Sequence, residues 1–364
     1  KRFIAEAKFL RALYYFNLVR FFGDVPLVTQ LETIDGAMGP RVAKEQIYEQ
    51  ILSDLTDAEN ALHYPLEYGT TDIGRATKGA AKILAGKVYL TKGDYSKAKE
   101  KLAEVVEQEG AYGYGLHVNY GDNWNLETEA GKEAVLYIEY KQDPFPKNDE
   151  MSMIGPKYSI PEPVGVNGSN EADIPTIELN DKYNENDKRK AVNLRTHYTN
   201  PQNGKELISS IPLFGKYWQE GITAIKFCEI NMHIIRYSDA LLMYAEALNE
   251  IGESAKAHQV LNRVRERAFG DSSGNYSGLS KDAFREAILN ERFLEFPIEG
   301  HRWFDLVRTG TFIKRMKEHS AYEAKVAEKN KTDIASNIKD HMILMPIPQR
   351  ELDLNPELTQ NPGW

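Results

Sequence analysis

The sequence is poor in several features that mark particular classes of protein. It has a single cysteine, Cys228, among 364 residues, which excludes an internal disulfide, and its apolar surroundings predict a buried, unreactive thiol. No run of about 18 apolar residues occurs, so no membrane-spanning helix is predicted. Lysine and arginine are scattered singly in a chain of formal net charge −9. This pattern argues against a nucleic-acid partner.

Recognised catalytic and metal-binding motifs are also missing. The sequence has no phosphate-binding loop, dinucleotide-binding glycine motif, zinc-protease motif, Cys-x-x-Cys pair or nucleophile elbow. Its eight histidines are dispersed, and no two are spaced i, i+4, so we predict neither a metal site nor a cofactor. Paired carboxylates could form a glycosidase site, but 54 Asp and Glu residues guarantee chance pairs. We expect a protein that is not an enzyme, with a carboxylate-pair glycosidase as a distant alternative.

Helical periodicity dominates both ends of the chain. Residues 1–22 are apolar on most of the helix circumference, which predicts a largely buried helix. This helix has no capping residue, and we expect it to have lost an upstream partner from a longer chain. A second helix is predicted from about Lys44 to Leu62, with one apolar stripe along it.

Two segments predict helix pairs of the same plan. In "TKGAAKILAGKVYLTKGDYSKAKEKLAEVVEQ", the small residues Gly86 and Ala98 allow two antiparallel helices to approach closely, and Leu102 fills the groove between them. The segment "YSDALLMYAEALNEIGESAKAHQVLNRVRERA" repeats this plan around a turn at Gly252. The spacings resemble the tetratricopeptide repeat, although two separated copies do not make a regular solenoid.

The chain between the helix pairs is rich in Gly, Pro, Asn and Tyr. It contains one predicted strand, Ala134–Tyr140, and residues 141–213 are expected to be mostly irregular. The prolines near the C-terminus predict an extended strap rather than a helix.

The predicted fold is therefore mainly α. It combines α/α tetratricopeptide-like helical repeats with a long loop-rich insertion containing a few short strands. Residues 1–110 are the N-terminal helical part, and residues 111–230 are the insertion, which should face the ligand. Residues 231–364 are the C-terminal helical part with its strap.

One stretch, "ILNERFLEFPIEGHRWFDLVRTG", gathers acids, bases and an aromatic around proline and glycine and could be an active site. Helical spacing places His301, Asp305 and Arg308 on one face. Trp303 and Leu306 fall on the opposite, core side. Because no nucleophile accompanies the histidine, we interpret the stretch as a charge cluster that pins two helices together.

Six segments, in order along the chain, together resemble one family. They are "AEAKFLRALYYFNLVRFFGDVPLVT", "GRATKGAAKILAGKVYLTKGDYSKA", "IIRYSDALLMYAEALNE", "LNRVRERA", "NERFLEFPIEGHRWFDLVRTG" and "ILMPIPQRELDLNPELTQNPGW". The chain resembles the SusD/RagB family of Bacteroidetes outer-membrane lipoproteins over nearly its whole length. The resemblance implies a surface-exposed protein of the cell outer membrane with a helical, tetratricopeptide-like body.

The resemblance also implies glycan binding without catalysis. Such proteins capture oligosaccharides or polysaccharides, or sometimes peptides, and deliver them to a SusC-like TonB-dependent transporter, which they cover as a lid. Their membrane contact is a lipidated N-terminal cysteine, and we expect the region that carries it, with some ligand contacts, to be missing here. A peptide-binding module of the tetratricopeptide type is the alternative.

Sugar recognition requires aromatic rings that stack on the C–H face of a pyranose and polar side chains that bind its hydroxyls. Aromatic and asparagine residues of the insertion are the candidate ligand-binding residues. They are Tyr158, Trp218, Tyr198, Asn167, Asn170, Trp124 and Asn123. Tyr158, in the Gly/Pro-rich loop, is the preferred single candidate, whereas Trp124 and Trp218 also have a strong interpretation as caps on the core. No catalytic residue is assigned.

Overall fold

The computed structural model describes residues 1–30, 38–141, 148–155, 170, 172–200, 203–222, 228–326 and 334–364. The chain divides into two compact units, each discontinuous in sequence. The first unit comprises residues 1–68, 76–105 and 303–364, and the second comprises residues 69–75 and 106–302. The predicted mainly helical fold is confirmed. The division into the segments 1–110, 111–230 and 231–364 stays a prediction.

The helices of the described residues are given in chain order. They are α1 (Arg2–Phe22), α2 (Lys44–Ala61), α3 (Lys78–Thr91), α4 (Tyr95–Val106), α5 (Glu109–Tyr112), α6 (Glu150–Ile154), α7 (Ile177–Lys182), α8 (Arg189–Asn193), α9 (Tyr237–Glu250), α10 (Ser254–Phe269), α11 (Lys281–Glu295), α12 (Arg302–Arg308), α13 (Phe312–Val326), α14 (Ile334–Asn337) and α15 (Gln349–Leu354). Short 3-10 helices form at Pro65–Glu67, Thr70–Asp72, Tyr120–Trp124, Ser272–Gly274 and Asp340–Ile343.

Four strands of the second unit form two antiparallel pairs. β1 (Ala134–Ile138) pairs with β4 (Met232–Arg236), and β2 (Leu194–Thr199) pairs with β3 (Glu206–Phe214). β1 was predicted and ends two residues earlier than expected. The β2–β3 pair lies in the stretch that is expected to be mostly irregular, and it belongs to the few short strands expected of the insertion. Its signal was weak because only one short stretch of β3, around Leu207, alternates buried and exposed residues before the pattern breaks.

Helix α1 is less buried than its sequence predicts. Its buried residues follow helical spacing and pack on α2; they are Ala5, Phe9, Ala12, Phe16 and Val19. The opposite face is exposed and nevertheless apolar, with Phe3, Ile4, Leu10, Tyr14 and Leu18 each 40–67% exposed. The expectation of a largely buried helix was therefore wrong, because only one face of α1 has helical neighbours in the first unit.

The two helix pairs have the predicted packing. A β-carbon added at Gly86 of α3 would lie 2.6 Å from Cγ of Leu102 in α4, so the two backbones approach as closely as a glycine allows. Thr77 caps the start of α3 by accepting a hydrogen bond from the backbone N–H of Ala80, at 3.1 Å. In the second pair, α9 and α10 join through Gly252, whose φ of 89° suits a glycine.

The C-terminal strap is only partly extended. Pro346 and Pro348 keep the chain non-helical before α15, but the sequence after them, Gln-Arg-Glu-Leu-Asp-Leu, consists largely of helix formers and makes a turn and a half of helix. The expectation of a strap without a helix was therefore wrong. Backbone bonds dock the strap within the first unit, including one from the N–H of Met345 to the carbonyl oxygen of Phe21 at 2.7 Å.

The core of the second unit contains residues from the insertion and from the end of α11. Its buried members are Tyr120, Trp124, Met151, Ile154, Leu179, Tyr183, Leu194, Tyr198, Leu207, Leu213, Phe214, Tyr217, Trp218, Ile222, Cys228, Ile230 and Leu294. Cys228 is fully buried, as its sequence context predicted. Burial raises the pKa of its thiol to about 12, so the side chain is an unreactive thiol at neutral pH.

Replacing Gly86 by alanine tests the close approach of α3 and α4. The clash of the new methyl group with Leu102 should cost about 1–3 kcal/mol, which outweighs the gain of up to about 1 kcal/mol in helix propensity. We expect a lower midpoint in urea unfolding. The matched control is Gly110→Ala in α5, where a β-carbon meets no heavy atom within 4 Å. If both variants are equally stable, Leu102 moves aside and the pair is packed more loosely than described.

Candidate functional site

A cluster of ten charged side chains lies inside the second unit. Five are carboxylates and five are cations, so the formal charges cancel. The carboxylates are Glu133, Asp187, Glu291, Glu295 and Glu299, and the cations are Arg189, Lys216, Arg236, Arg265 and Arg267. Their side chains are 0–9% exposed. Buried ions are tolerated only where partners and hydrogen bonds compensate for lost hydration, which this cluster provides.

Glu295, the last residue of α11, is the centre of this buried charge cluster. One carboxylate oxygen accepts from Arg236 at 2.9 Å and from Arg267 at 2.6 Å, and the other accepts from Arg189 at 2.9 Å. Burial alone would raise the pKa of Glu295, but the three guanidinium groups outweigh it and hold the pKa well below its ordinary value. The carboxylate therefore stays charged at neutral pH.

The cluster joins elements that are far apart in the sequence. Arg189 opens α8 and bridges Asp187 to Glu291 of α11, with its Nη1 2.6 Å from the Glu291 carboxylate. Arg236 ends β4 and binds Glu133, just before β1, at 2.6 Å. Each guanidinium has several donors in a fixed plane, so one arginine can hold two or three elements in register.

A second group of contacts holds the turn that follows α11. The ammonium group of Lys216 donates to the backbone oxygens of Glu295 and Pro297, both at 3.1 Å, and to Glu299 at 2.5 Å. Arg236 donates to both carboxylate oxygens of Glu299, at 2.8 and 2.9 Å. The turn after α11 thus contacts two buried cations, Lys216 and Arg236.

These contacts force Ile298 into an unusual backbone conformation. Its φ of 54° makes it the only non-glycine residue with positive φ in the part of the chain that the structure describes. A branched side chain in this region costs about 1–3 kcal/mol and persists only where its surroundings fix it. The anchors of Pro297 and Glu299 on Lys216 supply that constraint.

Ile298 forms one wall of an open pocket in the second unit, with a volume of about 360 Å³. The residues that line it come from α6, the segment before α7, the end of β3 and the turn after α11. They are Glu150, Ala172, Asp173, Ile174, Phe214, Ile298 and Gly300. The wall is thus partly apolar, with two carboxylates, and this combination suits the C–H faces and hydroxyl groups of a sugar.

The charge of Asp173 acts on the carboxyl group of Glu150. Burial raises the pKa of Glu150, and the neighbouring charges of Asp173 and Asp149 raise it further. The segment with Asp173 is fixed beside α6, because the N–H groups of Ala172 and Asp173 both donate to the carbonyl oxygen of Met153, at 2.8 and 3.1 Å. The pocket therefore carries a fixed acidic pair.

Trp124 lies over the buried charge cluster, and Asn123 precedes it in the chain; their role as ligand contacts stays a prediction. The Trp124 ring packs 4.6 Å from Nζ of Lys216 and 5.3 Å from Cζ of Arg236, which stabilises both cations. Asn123 is fully buried and donates to the backbone oxygen of Tyr120 at 3.0 Å. The Trp124 indole N–H and the Asn123 side-chain oxygen have no hydrogen-bond partner among the described residues.

Trp218 and Tyr198 pack against each other within the core, with ring centroids 4.8 Å apart. The Tyr198 hydroxyl donates to the backbone oxygen of Phe214 at 3.0 Å and so anchors a residue of the pocket wall. Both rings are buried, and the Trp218 indole N–H lacks a partner among the described residues. Their role as ligand contacts stays a prediction, and their packing gives them a structural role beside the pocket.

The remaining predicted ligand-binding residues are Tyr158, Asn167 and Asn170. Tyr158 and Asn167 lie outside the described residues. Asn170 is exposed, and its backbone N–H donates to the carbonyl oxygen of Ser152 in α6 at 2.7 Å, which places it beside the segment that lines the pocket. The sequence analysis named none of the pocket-lining residues as ligand contacts. The signal that could have indicated them was the abundance of Pro and Gly around α6 and in the turn after α11.

The stretch from Ile288 to Gly310 contributes to the buried charge cluster through other residues than expected. Glu291 and Glu295, spaced i, i+4 on the buried face of α11, are its members. His301 lies with its ring nitrogen 4.0 Å from Asp239 in the second unit. Asp305 pairs with Arg308 at 2.9 Å within the first unit, as predicted.

Comparison with known proteins identifies the family. A family model described as "SusD family" matches residues 107–364, and one described as "Starch-binding associating with outer membrane" matches residues 1–90. The chain belongs to the SusD family. The resemblance inferred from six segments is thereby confirmed. This is a family of carbohydrate-binding proteins rather than enzymes, described as associated with the outer membrane.

Individual SusD-like relatives match almost all of the chain. "SusD-like protein P25" of Formosa agariphila is 29% identical, over 98% of this chain and 72% of that protein. A SusD homologue from Bacteroides thetaiotaomicron superposes with a TM-score of 0.84 at 26% identity, covering 99% of this chain and 78% of that one. A structure described as a laminarin-binding SusD-like protein has a TM-score of 0.78 at 28% identity, covering 100% and 79%. In the described part of this SusD-family chain, no helix is both long and apolar enough to cross a membrane.

Replacing Glu295 by glutamine tests the centre of the buried charge cluster. The change keeps the shape but leaves a buried excess positive charge, so we expect unfolding to become easier by about 3–5 kcal/mol, measured by urea titration. Glu206→Gln is the matched control, since that carboxylate is 69% exposed and pairs with His197 at the surface. Equal stability of the two variants would show that the cluster contributes nothing to folding.

The carboxylate of Glu299 should make stability fall in acid. Burial would raise the pKa of Glu299, but Arg236 and Lys216 outweigh it and lower the pKa to about 2, against about 4.3 in an unfolded chain. The unfolded chain therefore binds the proton first, and this contribution is complete above about pH 4.3 and is lost as the pH falls towards 2. We expect Glu299→Gln to flatten the pH dependence of the unfolding free energy between pH 4.5 and pH 2. An unchanged slope would contradict the shift.

Proposed function

We propose that this chain captures oligosaccharides at the cell surface and delivers them to a SusC-like TonB-dependent transporter. It would do so as a lipoprotein of the outer membrane. Membership of a carbohydrate-binding family supports the ligand class, and the likeness to a laminarin-binding SusD-like protein supports a glycan in particular.

The pocket beside Ile298 is the observation that carries this proposal. Ile174 and Ile298, with the edge of Phe214, offer apolar surface to the C–H face of a sugar ring, and the carboxylates of Glu150 and Asp173 can accept bonds from its hydroxyls. The pocket is open and shallow, so we expect dissociation constants in the micromolar range or weaker.

The geometry gives less support to the rival functions. A peptide-binding tetratricopeptide module needs an accessible groove, whereas Gly86 and Leu102 are packed against each other. A carboxylate-pair glycosidase needs two acids on either side of one glycosidic bond. Glu150 and Asp173 are the acids to test, and sustained release of reducing sugar that Glu150→Gln abolishes would favour that function over binding.

The pocket wall can be tested with paired isoleucine variants. Ile174→Ala removes an exposed side chain that lines the pocket, and we expect about fivefold weaker glycan binding, as the loss of roughly 1 kcal/mol of apolar contact implies. The assay is calorimetry against laminarin, pullulan, galactomannan, alginate, polygalacturonate and carrageenan. Ile177→Ala is the control, because Ile177 is similarly exposed, at 39% against 45%, and lies outside the pocket lining.

Binding that is equal in both isoleucine variants would exclude this pocket as the site. If no glycan of the panel binds and a separate panel of peptides does, the glycan proposal as a whole is contradicted. Delivery to a transporter is tested separately, by co-purification of a large β-barrel partner from detergent-solubilised outer membranes with the full-length protein.

A further inference from the structure

We propose that the pocket beside Ile298 selects uncharged glycans over anionic ones, and that Glu150 and Asp173 determine this selectivity. The inference deepens the proposed function and rests on it. Nothing in the family match itself distinguishes neutral glycans from sulfated or uronate-rich ones.

The described lining of the pocket carries negative charge and contains no cation. Two carboxylates are among its seven lining residues, and none of the described lining residues is a lysine, an arginine or a histidine. A third acid, Asp149, stands directly before Glu150 and influences its ionisation. A sulfate or carboxylate group placed here meets like charges at short range.

The buried cations behind the pocket turn are compensated by carboxylates of their own. Lys216 and Arg236, which hold the pocket turn from within, are fully buried and are already bound to carboxylates. Because the buried charge cluster has equal numbers of acids and bases, it contributes little net potential at the pocket. Among the described residues that line the pocket, Glu150 and Asp173 therefore supply the formal charge that a ligand meets.

A neutral sugar avoids this conflict and still satisfies the pocket. Its hydroxyl groups can donate to the carboxylates of Glu150 and Asp173 in charge-assisted hydrogen bonds. Its C–H face can lie against Ile174 and Ile298, so the bound ring makes both polar and apolar contacts. An anionic sugar has the same apolar face, but the two carboxylates repel its charge. The acids therefore select neutral sugars by weakening the binding of anionic ones.

Glu150 responds to the charge of Asp173. Burial, and then the charges of Asp173 and Asp149, raise the pKa of the Glu150 carboxyl. A negative charge is therefore disfavoured beside Asp173, and a ligand anion placed there meets the same repulsion. Because the pocket is open to solvent, added salt weakens this repulsion.

The test compares a neutral glycan with a derivative of the same polymer that carries negative charge. The best-binding neutral polymer of the panel is measured beside its chemically sulfated derivative, by calorimetry at about 0.05 M salt. We expect the neutral polymer to bind at least about tenfold more tightly. In the double variant Glu150→Gln, Asp173→Asn, which keeps hydrogen-bonding groups but removes both charges, we expect the ratio to fall to about threefold or less.

Three further measurements separate the effect of charge from damage to the fold. Glu127→Gln removes an exposed acid that does not line the pocket, and it should leave the ratio unchanged. All variants should retain the thermal midpoint of the parent protein. Raising the salt to about 0.5 M should narrow the ratio in the parent protein through screening.

The outcomes distinguish this inference from the proposed function. Tighter binding of an anionic glycan than of every neutral one, or an unchanged ratio in the double variant, overturns the charge selectivity while glycan binding stands. If no glycan of either charge binds, the proposed function fails, and the selectivity fails with it.

Discussion

The compensation of buried charge is the constraint on which the second unit depends. Ten ionised side chains are enclosed with almost no access to water, and each would be costly to bury alone. They are tolerated because Glu295 and Arg236 each contact several partners of opposite sign. Since those partners come from strands, loops and helices distant in sequence, charge neutrality and the arrangement of the backbone are satisfied together.

The compensation of buried charge also fixes one short turn at the surface. Lys216 and Arg236 bind the turn after α11 from inside, at its carbonyl oxygens and at Glu299. The residue between these anchors, Ile298, is left with a left-handed backbone and forms part of the pocket wall. The buried ion pairs thus hold the strained backbone of the pocket wall in place. Because this wall is already ordered, less conformational entropy is lost when a ligand binds.

This arrangement explains how a mainly helical chain can present a sugar site. The helix pairs supply a closely packed scaffold, as Gly86 against Leu102 illustrates, and the pocket is made by segments between regular elements. Two rings considered as ligand contacts or as caps on the core, Trp124 and Trp218, are buried; Trp124 packs on the cations and Trp218 on Tyr198. Loops carry the variable contacts, while the buried charges keep them in place.

The sequence by itself determined the helices, the close approach at Gly86, the buried Cys228 and the family, because these follow from periodicity, residue size and local pattern. It also indicated that the stretch from Ile288 to Gly310 is structural, although the cluster expected at His301, Asp305 and Arg308 lies instead at Glu291 and Glu295. Only the tertiary structure decided which charges meet, that one face of α1 is exposed, and that Glu150, Asp173 and Ile298 share a pocket. Those features depend on contacts between residues distant in the chain, for which neither helical nor strand periodicity carries information.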